Sequence, residues 1–273
     1  MIPTKSEVNR ALGLSCVEKY FLSWLDRFID VSRLYGETFI TFSQVMEDFS
    51  YGATYQNYVG VKRVQDIAEE QGIVTHQFIS CKADGVIEIL KKRNENELCL
   101  VRVNGNFFKG YKRLPWREDH YIAVDENLHY INEYPLSEGD FSSAQFEESY
   151  DGALLIYATE NLDVKPNAFT SRIWNESFEL KKLPGTLSDF LSAIGVLRVA
   201  RKRLEKYFAF HTAIGELCRK DNELLDKLYM NARMLQIKRE KVGLKERCEE
   251  LFLQTVQTEE SIFEEIQKWN AKA

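Results

Sequence analysis

Cys16 is the clearest candidate nucleophile in the sequence. Ser15 precedes it and Glu18 stands three residues after Ser15, which is the spacing of a capping box, so we predict that a helix begins at Cys16. Unpaired backbone N–H groups and the positive end of the helix dipole favour a thiolate there. The same N–H groups can hold an oxyanion, so acyl transfer through the thiol is the chemistry that this position suits. The alternative is a small buried core residue, as cysteine commonly is.

The other cysteines do not compete with Cys16. The total of five is odd, and no two are spaced as a C-x-x-C pair, so the sequence indicates neither a disulfide framework nor a metal site. We expect no metal and no cofactor. Cys81 and Cys99 adjoin or lie in strand-like segments and are interpreted as core residues, whereas Cys218 and Cys248 lie in helical stretches.

His120 is the candidate base. It opens the strand-like segment HYIAV at 120–124, and the strand-like segment LHYIN at 128–132 follows after a short polar stretch. Two such segments with a polar connection are expected to form a hairpin. The partner of His120 across this hairpin depends on the length of the loop. The alternative role for His120 is that of an ordinary hairpin residue at the surface.

Two registers of this hairpin are open from the sequence. A three-residue loop places His120 opposite Asn132 on one face of the sheet, and the Asn132 oxygen would then hold one ring nitrogen while the other takes a proton from a thiol. A two-residue loop shifts the pairing by one residue and places Glu133 opposite His120. We prefer the first register, because it gathers the apolar residues of both strands on one face. Cys16, His120 and Asn132 would then form a catalytic triad.

The elements that must position these residues follow from periodicity. In CVEKYFLSWLDRFI, residues 16–29, the apolar side chains recur with the spacing of one face of an amphipathic helix. Segments rich in β-branched and aromatic residues are typical of strands. They are ELCLVRV at 97–103, HYIAV, LHYIN and ALLIYAT at 153–159. The sequence therefore predicts an α+β fold with a mainly antiparallel sheet.

A change in composition divides the chain near residue 185. All five prolines lie before that residue, and the sequence after it is rich in Leu, Glu, Lys and Arg. Thr186 or Ser188 can cap a helix whose apolar residues keep helical spacing. We predict an α+β domain over residues 1–185 and an all-helical domain of three or four long helices over residues 186–273.

Composition argues against two classes of partner. The net charge is −6, and the basic segment RVARKRLEK at 198–206 is interpreted as a solvated helix face, so no nucleic-acid surface is indicated. No segment reaches the roughly 18 apolar residues that span a bilayer, and the N-terminus lacks an apolar signal region. We therefore expect a cytoplasmic protein without membrane contact.

The order of these pieces resembles that of papain-like folds, with a cysteine at a helix start, a histidine leading a later strand, and an amide or acid at the end of the next strand. Two segments, SCVEKYFLSWL at 15–25 and NGNFFKGYKRLPWREDHYIAVDENLHYINEYP at 104–135, precede the helical part. Together they resemble the butirosin-biosynthesis acyltransferase family, whose N-terminal domain is papain-like. The family more often has Asp followed by Pro after the second strand, where this chain has Asn132 and Glu133 before Tyr134.

The resemblance implies a function and partners. It implies a cysteine acyltransferase that moves an acyl or aminoacyl group from a carrier-protein thioester to an amine, in antibiotic biosynthesis of the nonribosomal peptide or aminoglycoside type. The partners would be an acyl or peptidyl carrier protein with its phosphopantetheine arm and a small amine acceptor. A homo-oligomer formed through the helical region is left open. The same residues suit a peptidase, amidase or thioesterase, and a non-catalytic assembly protein is the alternative from another class.

Overall fold

The computed structural model of the protein describes residues 2–53, 58, 60–110, 120–162, 186–237 and 243–271. These residues belong to two compact units. The first comprises Met1–Val31 and Val64–Lys165, and the second comprises Ser32–Arg63 and Pro166–Ala273. The second unit thus contains a segment that the sequence pattern placed in the first domain. The predicted boundary at residue 185 lies outside the described residues.

The first unit is built on an antiparallel sheet of six strands. They are β1 (Val74–Ile79), β2 (Glu97–Val103), β3 (His120–Val124), β4 (His129–Glu133), β5 (Leu136–Asp140) and β6 (Tyr150–Thr159). The order across the sheet is β1-β6-β2-β3-β4-β5, and every neighbouring pair is antiparallel. The predicted mixture of helices with an antiparallel sheet is therefore confirmed.

The described helices belong to both units. Those of the first unit are α1 (Lys5–Arg10), α2 (Cys16–Leu25), α4 (Val64–Glu70), α5 (Ala83–Lys92) and α6 (Ser143–Ser149). Those of the second unit are α3 (Phe42–Ser50), α7 (Leu187–Tyr207), α8 (Thr212–Ile237) and α9 (Leu244–Asn270). None of the helices in the described ranges contains an apolar stretch long enough to cross a bilayer.

Helix α2 packs against one face of the sheet. Phe21, Trp24 and Leu25 have no exposed surface, and the Phe21 ring meets Tyr157 of β6 edge-on, with 5.0 Å between the ring centroids. Ile156 points to the other face, since successive side chains of a strand alternate. Residues of α5 and α6 pack with Ile156 in the core of that face, and they are Val86, Leu90 and Phe146. The predicted amphipathic helix is thereby confirmed, although it ends at Leu25.

Strands β3 and β4 form the predicted hairpin in a register that differs from both sequence alternatives. Val124 pairs with Tyr130, and this pairing continued along both strands places Asn132 opposite Ile122. The predicted pairing of His120 with Asn132 is therefore wrong by two residues. A shift of two residues leaves each side chain on the same face, because side chains alternate with a period of two.

The Asp125 side chain sets this register. Its Oδ1 accepts hydrogen bonds from the N–H groups of Asn127 (2.9 Å) and His129 (3.0 Å), which closes the turn. Leu128 has a φ of 63°, the left-handed conformation that a three-residue hairpin loop takes at its last position. The loop therefore has the preferred length but starts at Glu126 rather than at Asp125.

The second unit is helical in the part described. Thr186 caps α7, and its Oγ1 accepts a hydrogen bond from the Asp189 N–H at 3.1 Å. Helix α8 packs against both α7 and α9, and α3 packs against α7. No strand occurs within residues 186–237 and 243–271. The predicted helical C-terminal region is thus confirmed for these residues.

Three charged residues are wholly buried inside this helical unit. Arg201 of α7 forms ion pairs with Glu259 of α9 and, at 3.4 Å, with Asp221 of α8, and none of the three is exposed. Arg201 also donates to the backbone oxygen of Ile40 at 2.8 Å. The interpretation of RVARKRLEK as a solvated face is therefore wrong at Arg201, because acidic partners from neighbouring helices neutralise it. It is also wrong at Arg203, which is buried too.

The two carboxyl groups of this cluster are costly to ionise together. Burial raises the pKa of Asp221 well above its usual range, the neighbouring Glu259 raises it further, and Arg201 opposes the shift. The folded protein therefore retains a proton on Asp221 at pH values where the unfolded chain has lost it. The stabilisation from this proton is complete below the usual pKa of aspartate and declines as pH rises through the folded value.

Arg201→Met is expected to lower the free energy of unfolding by about 3–5 kcal/mol, because it leaves Glu259 buried without its cation. Asp221→Asn is the matched control. It removes a carboxyl that is costly to ionise, so stability at neutral pH should be unchanged or higher and should depend less on pH above about pH 4. Urea unfolding followed by far-UV circular dichroism at several pH values checks both variants. A larger loss in Asp221→Asn than in Arg201→Met would contradict this account.

Candidate functional site

Cys16 is the first residue of α2, as the capping pattern predicts. Ser15 is the N-cap, and its Oγ accepts a hydrogen bond from the Glu18 N–H at 3.1 Å. The Glu18 carboxylate does not return this bond to Ser15. It accepts instead from the N–H groups of Leu14 (2.6 Å) and Val64 (3.1 Å). Glu18 thus fastens the start of α2 to the start of α4, and this holds the helix end that carries Cys16.

Three backbone N–H groups lie near enough to the Cys16 sulfur to lower the pKa of the thiol. They belong to Cys16 and Val17 at the start of α2 and to Tyr121 in β3. Donors near a sulfur favour its charged form. Tyr121 directly follows His120, so the thiol lies against the strand that carries the candidate base.

Burial nevertheless raises the pKa of the Cys16 thiol and is the strongest influence on it. The Glu133 carboxylate raises this pKa further. As a residue, Cys16 is partly exposed. The expectation that the helix terminus lowers this pKa overall is wrong, because removing water from the thiolate outweighs the N–H donors.

The structure brings His120 and Asn132 together. The Nε2 atom of His120 lies 2.7 Å from the Oδ1 atom of Asn132. His120 is 3% exposed and Asn132 has no exposed surface. The Nδ2 atom of Asn132 donates to the Pro135 oxygen at 3.0 Å, which leaves Oδ1 as the acceptor for the ring. Because Oδ1 can only accept, the hydrogen bond requires a proton on Nε2, and in the neutral ring the lone pair is then on Nδ1.

This hydrogen bond forms across a diagonal of the hairpin. In the observed register Asn132 stands opposite Ile122, and His120 is the diagonal neighbour of Asn132 on the same face, within reach of its side chain. Phe108 packs edge-on against the imidazole, with 5.1 Å between the ring centroids. Asn132, rather than Glu133, is thus the hydrogen-bond partner of His120.

Cys16 and His120 both belong to elements that meet at β3, but they are associated with different faces of the sheet. The His120 ring shares the face of Ile122 and Asn132, whereas α2, which begins at Cys16, packs against the opposite face. Proton transfer between the two requires a closer approach, which many enzymes reach only with substrate bound. The site therefore offers a candidate nucleophile and an oriented imidazole whose mutual contact has still to form.

Glu133 has contacts that the sequence did not predict. It follows Asn132 and so points to the opposite face of the sheet, where α2 packs. Its carboxylate pairs with Lys19 of α2 at 3.2 Å, and its backbone N–H donates to the Tyr20 hydroxyl at 2.7 Å. The sequence gives no signal for these contacts, because they depend on how α2 lies across β4.

Comparison with known proteins gives no relative. No protein-family model, no curated protein and no solved structure matches the chain. Within the described residues there is also no group of His, Cys, Asp and Glu side chains that could hold a metal ion. The chemistry assigned to this site therefore depends on its own residues.

Alkylation of Cys16 by iodoacetamide should be slow at neutral pH and should accelerate as pH rises, because the raised pKa keeps the thiol protonated. Cys81, which is also partly exposed, serves as the reference thiol. Peptide mapping by mass spectrometry after brief labelling at a series of pH values gives both rates. Faster labelling of Cys16 than of Cys81 at neutral pH would contradict the raised pKa.

Asn132→Ala should lower the free energy of unfolding by about 1–3 kcal/mol, because it removes the acceptor of the buried Nε2 proton of His120. Asn96→Ala, at an exposed position of the same unit, is the control and should stay within about 0.5 kcal/mol of the wild type. Urea unfolding of both variants provides the comparison. Equal stability of the two variants would mean that this hydrogen bond does not order His120.

Proposed function

We propose that the protein is a cysteine-dependent acyltransferase whose first unit is papain-like. Cys16 is the nucleophile, His120 is the base, and Asn132 orients His120. The observation that carries the proposal is the buried His120–Asn132 hydrogen bond, in a unit whose helix α2 begins at Cys16 and contacts β3. These are the parts that a cysteine, histidine and amide triad needs. Their order along the chain supports the papain-like assignment.

The reaction exchanges one thioester for another and then forms an amide. The Cys16 sulfur attacks the carbonyl carbon of a thioester while its proton moves to Nδ1 of His120. The bond from that carbon to the donor sulfur breaks, and the donor thiol leaves with the proton. An amine then attacks the acyl group on Cys16. The amine proton passes through His120 to the Cys16 sulfur, and the amide is released.

The state of the thiol supports a step that needs a base. Since the raised pKa keeps Cys16 protonated in the free protein, its proton has to leave as the carbonyl is attacked. The backbone N–H groups of Cys16, Val17 and Tyr121 that lower the pKa of this thiol are the proposed donors to the developing oxyanion. Donors placed in advance at that position stabilise the tetrahedral intermediate.

The proposed donor is an acyl or aminoacyl group on the phosphopantetheine arm of a carrier protein, and the proposed acceptor is a small amine. The resemblance of residues 15–25 and 104–135 to the butirosin-biosynthesis acyltransferase family supports this choice. A role in the assembly of an antibiotic of the nonribosomal peptide or aminoglycoside type, in the cytoplasm, belongs to the same proposal.

A non-catalytic assembly role is the second candidate. His120 is 3% exposed and Asn132 has no exposed surface, and buried polar side chains are hydrogen-bonded in protein cores as well as in active sites. Under this candidate Cys16 is a core residue, and the hydrogen bond only stabilises the hairpin. Chemical acylation of Cys16 separates the two candidates.

Incubation with an acyl-pantetheine thioester should add one acyl group to Cys16, measured by intact-mass spectrometry and placed by peptide mapping. A primary amine added afterwards should discharge the adduct as an amide. Cys16→Ala should take up no acyl group, whereas Cys81→Ala, which removes another partly exposed thiol, should behave as the wild type. Three results would overturn the acyltransferase proposal. They are no acyl group on the wild type, acylation of Cys16→Ala to the wild-type level, and loss of the acyl group to water at a rate that the added amine does not change.

The same experiment shows whether His120 acts together with Cys16. Single-turnover transfer should fall by about a thousandfold or more in Cys16→Ala and in His120→Ala, and the double variant should be hardly worse than either. Residues that act as one unit are strongly non-additive, and this is the physical reason for that expectation. Asn132→Ala should lose less, because it removes only the orienting hydrogen bond. Transfer in His120→Ala at the wild-type rate would remove His120 from the mechanism.

A further inference from the structure

We propose that Glu133 is a positioning residue, which holds α2 against β4 through its ion pair with Lys19 and places a negative charge near the start of the helix that carries Cys16. The role of Glu133 in acyl transfer rests on the proposed function. Its influence on the thiol is independent of that function, and it can be measured without any substrate.

Two contacts join Glu133 to the helix of the nucleophile. The Nζ atom of Lys19 lies 3.2 Å from the Oε2 atom of Glu133, and the Tyr20 hydroxyl accepts the Glu133 N–H at 2.7 Å. Lys19 stands about one helical turn after Cys16, and Glu133 directly follows Asn132. These contacts therefore connect the helix that carries the nucleophile to the strand that carries the orienting residue.

The charge of Glu133 acts against the thiolate. Its carboxylate is near enough to the Cys16 sulfur to raise the pKa of the thiol. Lys19 offsets part of this negative charge, and the two side chains are only 29% and 11% exposed, so solvent screens the pair incompletely. The strength of the Lys19–Glu133 pair thus controls how much negative charge the sulfur experiences.

Other titratable groups on the elements around the thiol have partners of their own. The Glu18 carboxylate is held by backbone N–H groups, and His120 is held by Asn132. On α1, which packs against α2, Glu7 is held by Arg27 at 2.7 Å and Lys5 by Glu138 at 2.9 Å. The titratable and charged side chains of α1, α2, β3 and β4 besides Cys16 are Lys5, Glu7, Arg10, Glu18, Lys19, Tyr20, His120, Tyr121, His129, Tyr130 and Glu133.

The pH profile of Cys16 alkylation by iodoacetamide tests the proposal. Glu133→Gln removes the negative charge and should raise the rate near neutral pH by about twofold to fivefold, the range of a partly exposed charge interaction. Lys19→Met leaves Glu133 uncompensated and should lower the rate by a similar factor. Lys5→Met, which breaks the exposed pair of Lys5 with Glu138, is the matched control and should leave the rate unchanged.

A charge effect changes the alkylation rate in opposite directions in Glu133→Gln and Lys19→Met. Loosening of α2 alone would change both rates in the same direction, so equal rates or shifts of one sign would overturn the proposal. The double variant, Lys19→Met with Glu133→Gln, keeps no unpaired charge and should lie between the single variants. A rate outside that interval would also overturn the proposal. If one single variant fails to fold, the double variant should still react at a rate closer to the wild type than the remaining single variant does, and the opposite result would overturn the proposal.

The outcome is separable from the test of the proposed function. Opposite shifts in alkylation without any acyl adduct on the wild type would refute the acyltransferase and leave the charge effect of Glu133 standing. An acyl adduct on Cys16 with alkylation rates that ignore Glu133 and Lys19 would refute the present inference and leave the acyltransferase standing.

Discussion

The site depends on one constraint, which is that the backbone N–H groups around the start of α2 need hydrogen-bond acceptors. A buried N–H without an acceptor costs free energy comparable to a lost hydrogen bond, so each such group at a helix end needs a partner. The Ser15 hydroxyl and the Glu18 carboxylate serve this end of the helix, and the N–H of Tyr121 lies near enough to the Cys16 sulfur to lower the pKa of the thiol. Burial of the thiol has the larger effect and raises this pKa.

The same physical rule operates in both units with different results. In the helical unit, Arg201 and its two acidic partners have no exposed surface, and burial raises the pKa of Asp221. On α2 and β4, Lys19 and Glu133 remain partly exposed, so solvent partly screens their ion pair. Burial thus encloses one group of charges completely and leaves the other in contact with solvent.

The parts of the structure that the sequence predicted are those determined by neighbours in the chain. The start of α2 follows from Ser15 and Glu18, and the length of β2 follows from a short run of β-branched and apolar residues. The hairpin register was missed because it depends on the Asp125 side chain and on a left-handed Leu128, neither of which alters the alternation of the strands. Asn132 was still identified, since a shift of two residues preserves the face.

The strand order implies that the candidate site is completed late in folding. Within the described part of the sheet, β1 pairs only with β6, and β6 lies between β1 and β2 although it is the last strand of the unit in the chain. A nascent chain that has not yet completed β6 therefore leaves β1 without its sheet neighbour and α2 without the Tyr157 ring on which Phe21 packs. Long-range pairings of this kind raise contact order and slow folding. During synthesis α2, which carries the candidate nucleophile Cys16, thus emerges before all six strands of the described sheet but gains its contact with Tyr157 only when β6 is complete.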